Sequence, residues 1–387
     1  MFNKTVEEWK ELDGFNTASE IDQQPRLWKE IPQIFDDNKE KIEKFLEEEF
    51  IDKDVDVVFT GGGTSDYVGQ LVAPYLTRHA KGNFYAIPST DLVSNPYMYL
   101  KKERPTILVN FARSGNSPES VASVNLANQL LDKVFHVFIT CNPDGKLAKI
   151  SDQSKNTLTL IMPEGSNDKS FAMTSSYTCM SVTAMLLFDV DNFDKNIEEL
   201  SVFANTAEKL LKNAHEVLKN ALDFDYERVI YLGSGPYKGI AKEAALKILE
   251  LTRGKVVSLS ESTMGFRHGP KSIIDDKTIN FVFLPKEIYA YKYDLDIAKE
   301  MHQNEGTHKV VVYSNHFDKE LEENSDQVIS VDVNVENDVY LGILYLLYAQ
   351  VFALHSSIKH GINPDNPNPA GVVNRVVQGV IIYDYED

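Results

Sequence analysis

The chain has 387 residues, 43% apolar and 25% charged, the balance of a globular protein with room for two or three domains. Its net charge of −19, with no basic block, argues against duplex nucleic acid and anionic membranes as partners. Two cysteines, Cys141 and Cys179, supply neither a disulfide framework nor a metal-ligand spacing.

Residues 1–50 are polar and helical in pattern and read as an N-terminal helical extension. The first residues, Met1 to Trp9, contain no apolar signal-peptide core, so the expected location is the cytoplasm. In Asn16-Thr17-Ala18-Ser19-Glu20-Ile21, Thr17 or Ser19 offers a helix cap, and Pro25 suits the first turn of the next helix. Residues 39–50 form a charged amphipathic helix. From 51 to 195 strands and helices alternate. Residues 55–60 read as a strand that runs into Gly61-Gly62-Gly63-Thr64-Ser65 and then a helix through Leu71 and Leu76. Residues 107–111, 134–140 and 157–162 read as further strands, which predicts βαβ units and a mostly parallel sheet. Residues 196–222 read as a long linking helix.

Residues 223–360 repeat the pattern. Val229-Ile230-Tyr231-Leu232-Gly233 echoes Val57-Val58-Phe59-Thr60-Gly61, 172 residues earlier. Val310-Val311-Val312-Tyr313-Ser314-Asn315 echoes Val137-Phe138-Ile139-Thr140-Cys141-Asn142 at an offset of 173. Two echoes at nearly one offset predict a duplicated α/β domain. The apolar stretch 341–354 is interrupted by Gln350 and reads as too short to cross a bilayer. Residues 361–387 form a tail, irregular over 361–369 and strand-like over 376–383.

Two strand ends carry hydroxyl-rich turns: Gly62-Gly63-Thr64-Ser65 and Arg113-Ser114-Gly115-Asn116-Ser117. Open α/β sheets bind ligands at such carboxyl ends, where glycines admit an anion and hydroxyls donate to it. The alternative is an ordinary strand-to-helix turn, with Ser117 as N-cap and Pro118 at N1. Neither loop has the Gly-Lys-Ser/Thr of a nucleotide-binding P-loop.

A second set of residues has the character of acid–base machinery. Glu243, Lys247 and Glu250, spaced four and three, share a helix face. On an exposed helix a pair of this kind contributes only about 0.3–0.5 kcal/mol. Here the flanks, from Ile240 to Leu251, are apolar nearly all round, which predicts burial. Buried carboxylates gain basicity and become usable bases near neutral pH. His268, in Gly265-Phe266-Arg267-His268-Gly269-Pro270, follows on a loop, and none of the other histidines has metal spacing. Phosphate capture with proton transfer points to a sugar-phosphate isomerase or a relative of one.

Together these motifs resemble the sugar isomerase (SIS) domain family in tandem, and in particular the AgaS-like tagatose-6-phosphate ketose/aldose isomerases, also described as galactosamine-6-phosphate deaminase/isomerases. Residues 233–275 look like the isomerase half of glucosamine-6-phosphate synthase. The resemblance implies two SIS domains, 51–195 and 223–360, each a mostly parallel, flavodoxin-like three-layer sheet. It implies that Thr64, Ser65, Arg113, Ser114 and Ser117 hold phosphate, with Gly62, Gly63 and Asn116 beside them. Thr174 and Ser175, in Phe171-Ala172-Met173-Thr174-Ser175-Ser176, join the substrate-binding set. Glu250 matches the carboxylate that moves a proton between C1 and C2. Glu243 and Lys247 match its charged neighbours, and His268 matches a ring-opening histidine that reaches the partner subunit's site in a homodimer. No glutamine-hydrolysing domain is present. The synthase's Schiff-base lysine position holds Arg375, which stays protonated and does not form imines; it is left to clamp substrate or stabilise an enolate. The implied reaction converts galactosamine 6-phosphate to tagatose 6-phosphate and ammonia without metal or other cofactor. The rivals are plain aldose–ketose isomerisation and a non-catalytic sugar-phosphate sensor.

Overall fold

The computed structural model describes residues 1–151, 154–377 and 379–386. Its strands pair in parallel throughout. The first sheet comprises β1 (Asp56–Thr60), β2 (Asn83–Ala86), β3 (Thr106–Ala112), β4 (Val134–Thr140) and β5 (Thr157–Ile161), in the order β2-β1-β3-β4-β5. The second comprises β6 (Arg228–Gly233), β7 (Val257–Glu261), β8 (Thr278–Phe283), β9 (Lys309–Ser314) and β10 (Gln327–Ser330), in the order β7-β6-β8-β9-β10. The two orders match strand for strand. The sequence echoes fall on β1/β6 and β4/β9, which occupy equivalent places. This is the flavodoxin-like order, whose reversal beside its first strand opens a crevice at the strand ends.

Every residue of β3 and of β8 is buried, as suits a central parallel strand covered on both faces. Four strands were not anticipated: β2, β7, β8 and β10. Of these, β2, β7 and β10 lie at sheet edges and are short or polar, so their apolar signal is weak. The expected strand at 376–383 does not form. Val376, Val377 and residues 379–383 belong to no sheet, and Gln378 lies outside the described residues. Ile381 and Tyr383 are 70% and 79% exposed. β-branched composition favours an extended backbone, but a strand needs an edge to pair with.

The chain divides into two compact units. One holds the first sheet and comprises Arg26–Asp168, Ser175–Ile197 and Gly371–Asp387. The other holds the second sheet and comprises Met1–Pro25, Lys169–Thr174 and Glu198–Ala370. The N-terminal helices are therefore shared between the units. A 31-residue helix, Phe193–Asp223, covers the stretch read as a linker.

In the second-sheet unit, the helix Phe15–Asp22 begins before Thr17 and Ser19, so neither is its cap. Its first turn is capped by Asp365, whose carboxylate accepts from the backbone N–H of Asn16 (2.9 Å) and Thr17 (2.7 Å). The helix Asp338–Lys359 runs 22 residues, longer than its apolar stretch suggested and long enough to cross a bilayer. Its apolar window is 89% buried inside the protein, where it forms core. Gly342 lets it approach the helix Tyr237–Leu251: a Cβ there would lie 3.1 Å from Ile240 and Tyr237. The Tyr237 hydroxyl donates to Asp338 at 3.0 Å, which secures the start of that helix.

Candidate active site

In the first-sheet unit, both hydroxyl loops lie at the carboxyl ends of neighbouring strands, β1 and β3, where the strand order reverses. Gly61 is required by crowding: a Cβ would sit 2.6 Å from that of Ser65. Gly63 caps the helix Thr64–His79, and Thr64 and Ser65 are buried in its first turn. The second loop is braced from the β4 side. Asn142 donates to the Ser114 carbonyl at 2.8 Å, and the Asn116 side chain accepts from the Lys146 backbone at 3.1 Å. Ser117 is the N-cap of the helix Pro118–Leu130, with Pro118 in its first turn, and its hydroxyl lies 2.6 Å from that of Ser120. The structural role foreseen for Ser117-Pro118 is thus present.

Arg113 is buried, and its guanidinium donates to the Arg375 carbonyl at 2.7 Å. The Arg375 guanidinium in turn donates to the Asp168 carbonyl and the Asn167 side chain, each at 2.9 Å. The Asp168 carboxylate accepts from the backbone N–H of Ser175 (3.0 Å) and Ser176 (2.9 Å), at the start of the helix Ser175–Phe188. Arg113, Arg375 and Ser175 therefore belong to one bonded chain, with Arg375 anchoring the tail. Thr174 is buried and falls in the other unit. Burial pushes the Cys141 thiol up to about 12, so it is no nucleophile.

In the second-sheet unit, the helix Tyr237–Leu251 carries the expected charges. Glu243 and Lys247 are fully buried, and the ammonium lies 3.3 Å from Glu243 and 2.5 Å from Glu250. Burial works against the Lys247 charge, but the two carboxylates outweigh it and hold its pKa above the ordinary value. Glu250 alone of the three is accessible, its side chain 21% exposed. A buried ion pair thus supports a carboxylate that can meet a ligand. His268 is exposed on the turn between the helix Thr263–Phe266 and the 3-10 turn Pro270–Ile273.

Three residues escaped the sequence reading. Ser89 follows β2; it is fully buried, and among the described residues its hydroxyl has no hydrogen-bond partner. That hydroxyl lies 3.6 Å from where Gly62 would carry a Cβ, so it belongs to the first loop's surroundings. Its signal was lost with the unrecognised edge strand. Asp168 caps a helix seven residues ahead, beyond the local spacing that announces a cap. Asp294 is buried between Ser234 and Thr263 and looked like one more charge on an amphipathic helix.

Doubled parallel sheets with hydroxyl loops at one set of strand ends are the architecture of SIS-domain proteins, and the SIS domain profile matches residues 49–189. The D-galactosamine-6-phosphate deaminase AgaS of Shewanella sp. (strain ANA-3) is 38% identical over 98% of this chain and 95% of that protein. A solved Clostridium novyi structure superposes with a TM-score of 0.96 at 43% identity, covering 100% of this chain and 99% of its own. The tagatose-6-phosphate ketose/aldose isomerase structure from Escherichia coli gives a TM-score of 0.88 at 36% identity, covering 97% and 98%. The chain belongs to the AgaS family of SIS-domain proteins.

Proposed function

We propose that this protein is an amino-sugar-phosphate deaminase/isomerase that converts galactosamine 6-phosphate to tagatose 6-phosphate and ammonia. The observation that carries the chemistry is the buried Glu243–Lys247–Glu250 ladder with only Glu250 accessible, in a chain of the AgaS family. The sugar phosphate is held by Thr64, Ser65, Arg113, Ser114 and Ser117. His268 opens the ring. The aldehyde at C1 acidifies the C2 proton, Glu250 removes it, and an enolamine forms. Glu250 returns the proton to C1, leaving a ketiminium at C2. Water adds there, ammonia departs, and the ketose remains. Lys247 stabilises the anionic Glu250 and the charge that develops beside it. Arg375 contributes by fixing the Asn167–Asp168 turn. His268 serves the partner's site in a homodimer, and the two free cysteines suit a reducing cytoplasm.

The test is to incubate the protein with galactosamine 6-phosphate and measure ammonia and ketose phosphate separately. Equal amounts of both are expected. Binding with neither product would sink the reading. The Escherichia coli structure's name favours a second reading, isomerisation without nitrogen loss. Conversion of galactose 6-phosphate to tagatose 6-phosphate at a comparable or higher rate would establish it.

A further inference from the structure

An exposed histidine on a turn acts only if its segment is held still, because ordering a loop during turnover costs rate. The helix Ile288–Gln303 holds the segment around His268 at two places. Upstream of the histidine, Asp294 accepts from the Thr263 hydroxyl at 2.5 Å. Downstream, Glu300 accepts from Arg267 Nε at 2.8 Å and pairs with Lys271. Phe266, fully buried in the second sheet's core with Leu295 and Ala298 of the same helix, adds an apolar pin. His268 thus sits inside a bracket whose arms close at Thr263 and Lys271.

Asp294 does more than hold this segment. Its other oxygen accepts from the Ser234 hydroxyl at 2.5 Å. Ser234 lies in the turn that opens the helix Tyr237–Leu251, which carries Glu250. One carboxylate therefore ties the histidine's segment to the base's helix. The Asp294 side chain is fully buried, and its two partners are hydroxyls. A buried carboxylate without a cation is costly to keep. Simple packing of this helix does not require one.

We propose that Asp294 and Glu300 are positioning residues for His268, holding its segment fixed on the body of its own subunit so that the histidine is presented in one place. This rests on the reading of His268 as the ring-opening group. Neither carboxylate touches substrate; both act through the histidine.

The experiment uses the full chain with cyclic galactosamine 6-phosphate and compares Glu300→Ala, Glu300→Gln, Asp294→Asn and His268→Asn with the double variant Glu300→Ala/His268→Asn. Glu300 is partly exposed, so its variants keep the test readable where Asp294→Asn folds poorly. We expect Glu300→Ala to lower kcat roughly tenfold with KM changed less than about twofold. Glu300→Gln, which still accepts from Arg267, recovers part of that loss. In the His268→Asn background, Glu300→Ala adds less than about a twofold further loss. Additive losses would overturn the proposal, because they would show that Glu300 does not act through His268. Wild-type kcat in Glu300→Ala with a disabled His268→Asn would overturn positioning and leave the histidine's role intact. Wild-type turnover in His268→Asn would overturn both.

Discussion

The two sheets share one strand order, and their first loops share one glycine. Gly61 and Gly233 sit 172 residues apart, and each would drive a Cβ to 2.6 Å from the residue four positions on. What stands beside these equivalent turns differs. Around the first are hydroxyls and Arg113, in the half to which we assign the phosphate. Beside the second is Asp294, a carboxylate from the protein itself, bonded to Ser234. The charges to which we assign the chemistry lie further along, on the helix that its turn opens. Duplication supplied one scaffold twice; the side chains at each strand-end crevice decide whether it receives an anion or already contains one.

The largest effect that would sharpen this division is on turnover. Glu250→Gln removes the base and leaves the first half untouched. Ammonia release should fall by roughly 10²–10⁴-fold, while calorimetric affinity for galactosamine 6-phosphate stays near wild type. Turnover close to normal would break the assignment of proton transfer to the second half. Next in size, Arg113→Met should raise KM roughly 10–100-fold, the contribution of a charge-assisted hydrogen bond, with kcat largely kept. A loss in kcat alone would place Arg113 in the chemistry and blur the comparison.

A further effect concerns stability and leaves turnover aside. Burial raises the Asp294 pKa to about 6, against the hydrogen bonds from Ser234 and Thr263. The folded state then keeps a proton that the unfolded state has lost between its ordinary value of 3.8 and about 6. This contribution is fully present below that window and is lost as pH rises through it, up to about 3 kcal/mol in all. Asp294→Asn should flatten that part of the stability–pH curve, as measured by urea unfolding from pH 4 to 7. An unchanged slope would show that the carboxylate is not the titrating group.

Much of this arrangement was legible in the residues. The 172- and 173-residue echoes identified equivalent strands because buried parallel strands are dense apolar runs. The four-and-three spacing of Glu243, Lys247 and Glu250, among apolar flanks, announced a buried ladder. Long-range polar pairings were not legible. Asp365 caps a helix 348 residues away, and local spacing rules reach about four residues. Asp294 bonds to Ser234 at a separation of 60, and nothing in its helix pattern marks it as buried. The tail at 376–383 misled for the opposite reason: its composition favours a strand, but pairing depends on an edge elsewhere.

The Asp365 cap also orders events in time. Residues 1–25 are synthesised before either sheet, yet they belong with the second-sheet unit, where Gln24 bonds to Gln350 at 2.7 Å and Asn16 and Thr17 bond to Asp365. A chain emerging from the ribosome can complete most of the first-sheet unit by residue 197 while its own leading segment has nothing to dock on. Residues 16, 17 and 24 must wait until Gln350 and Asp365 have been made, so the docking of this early segment comes late in the making of its unit.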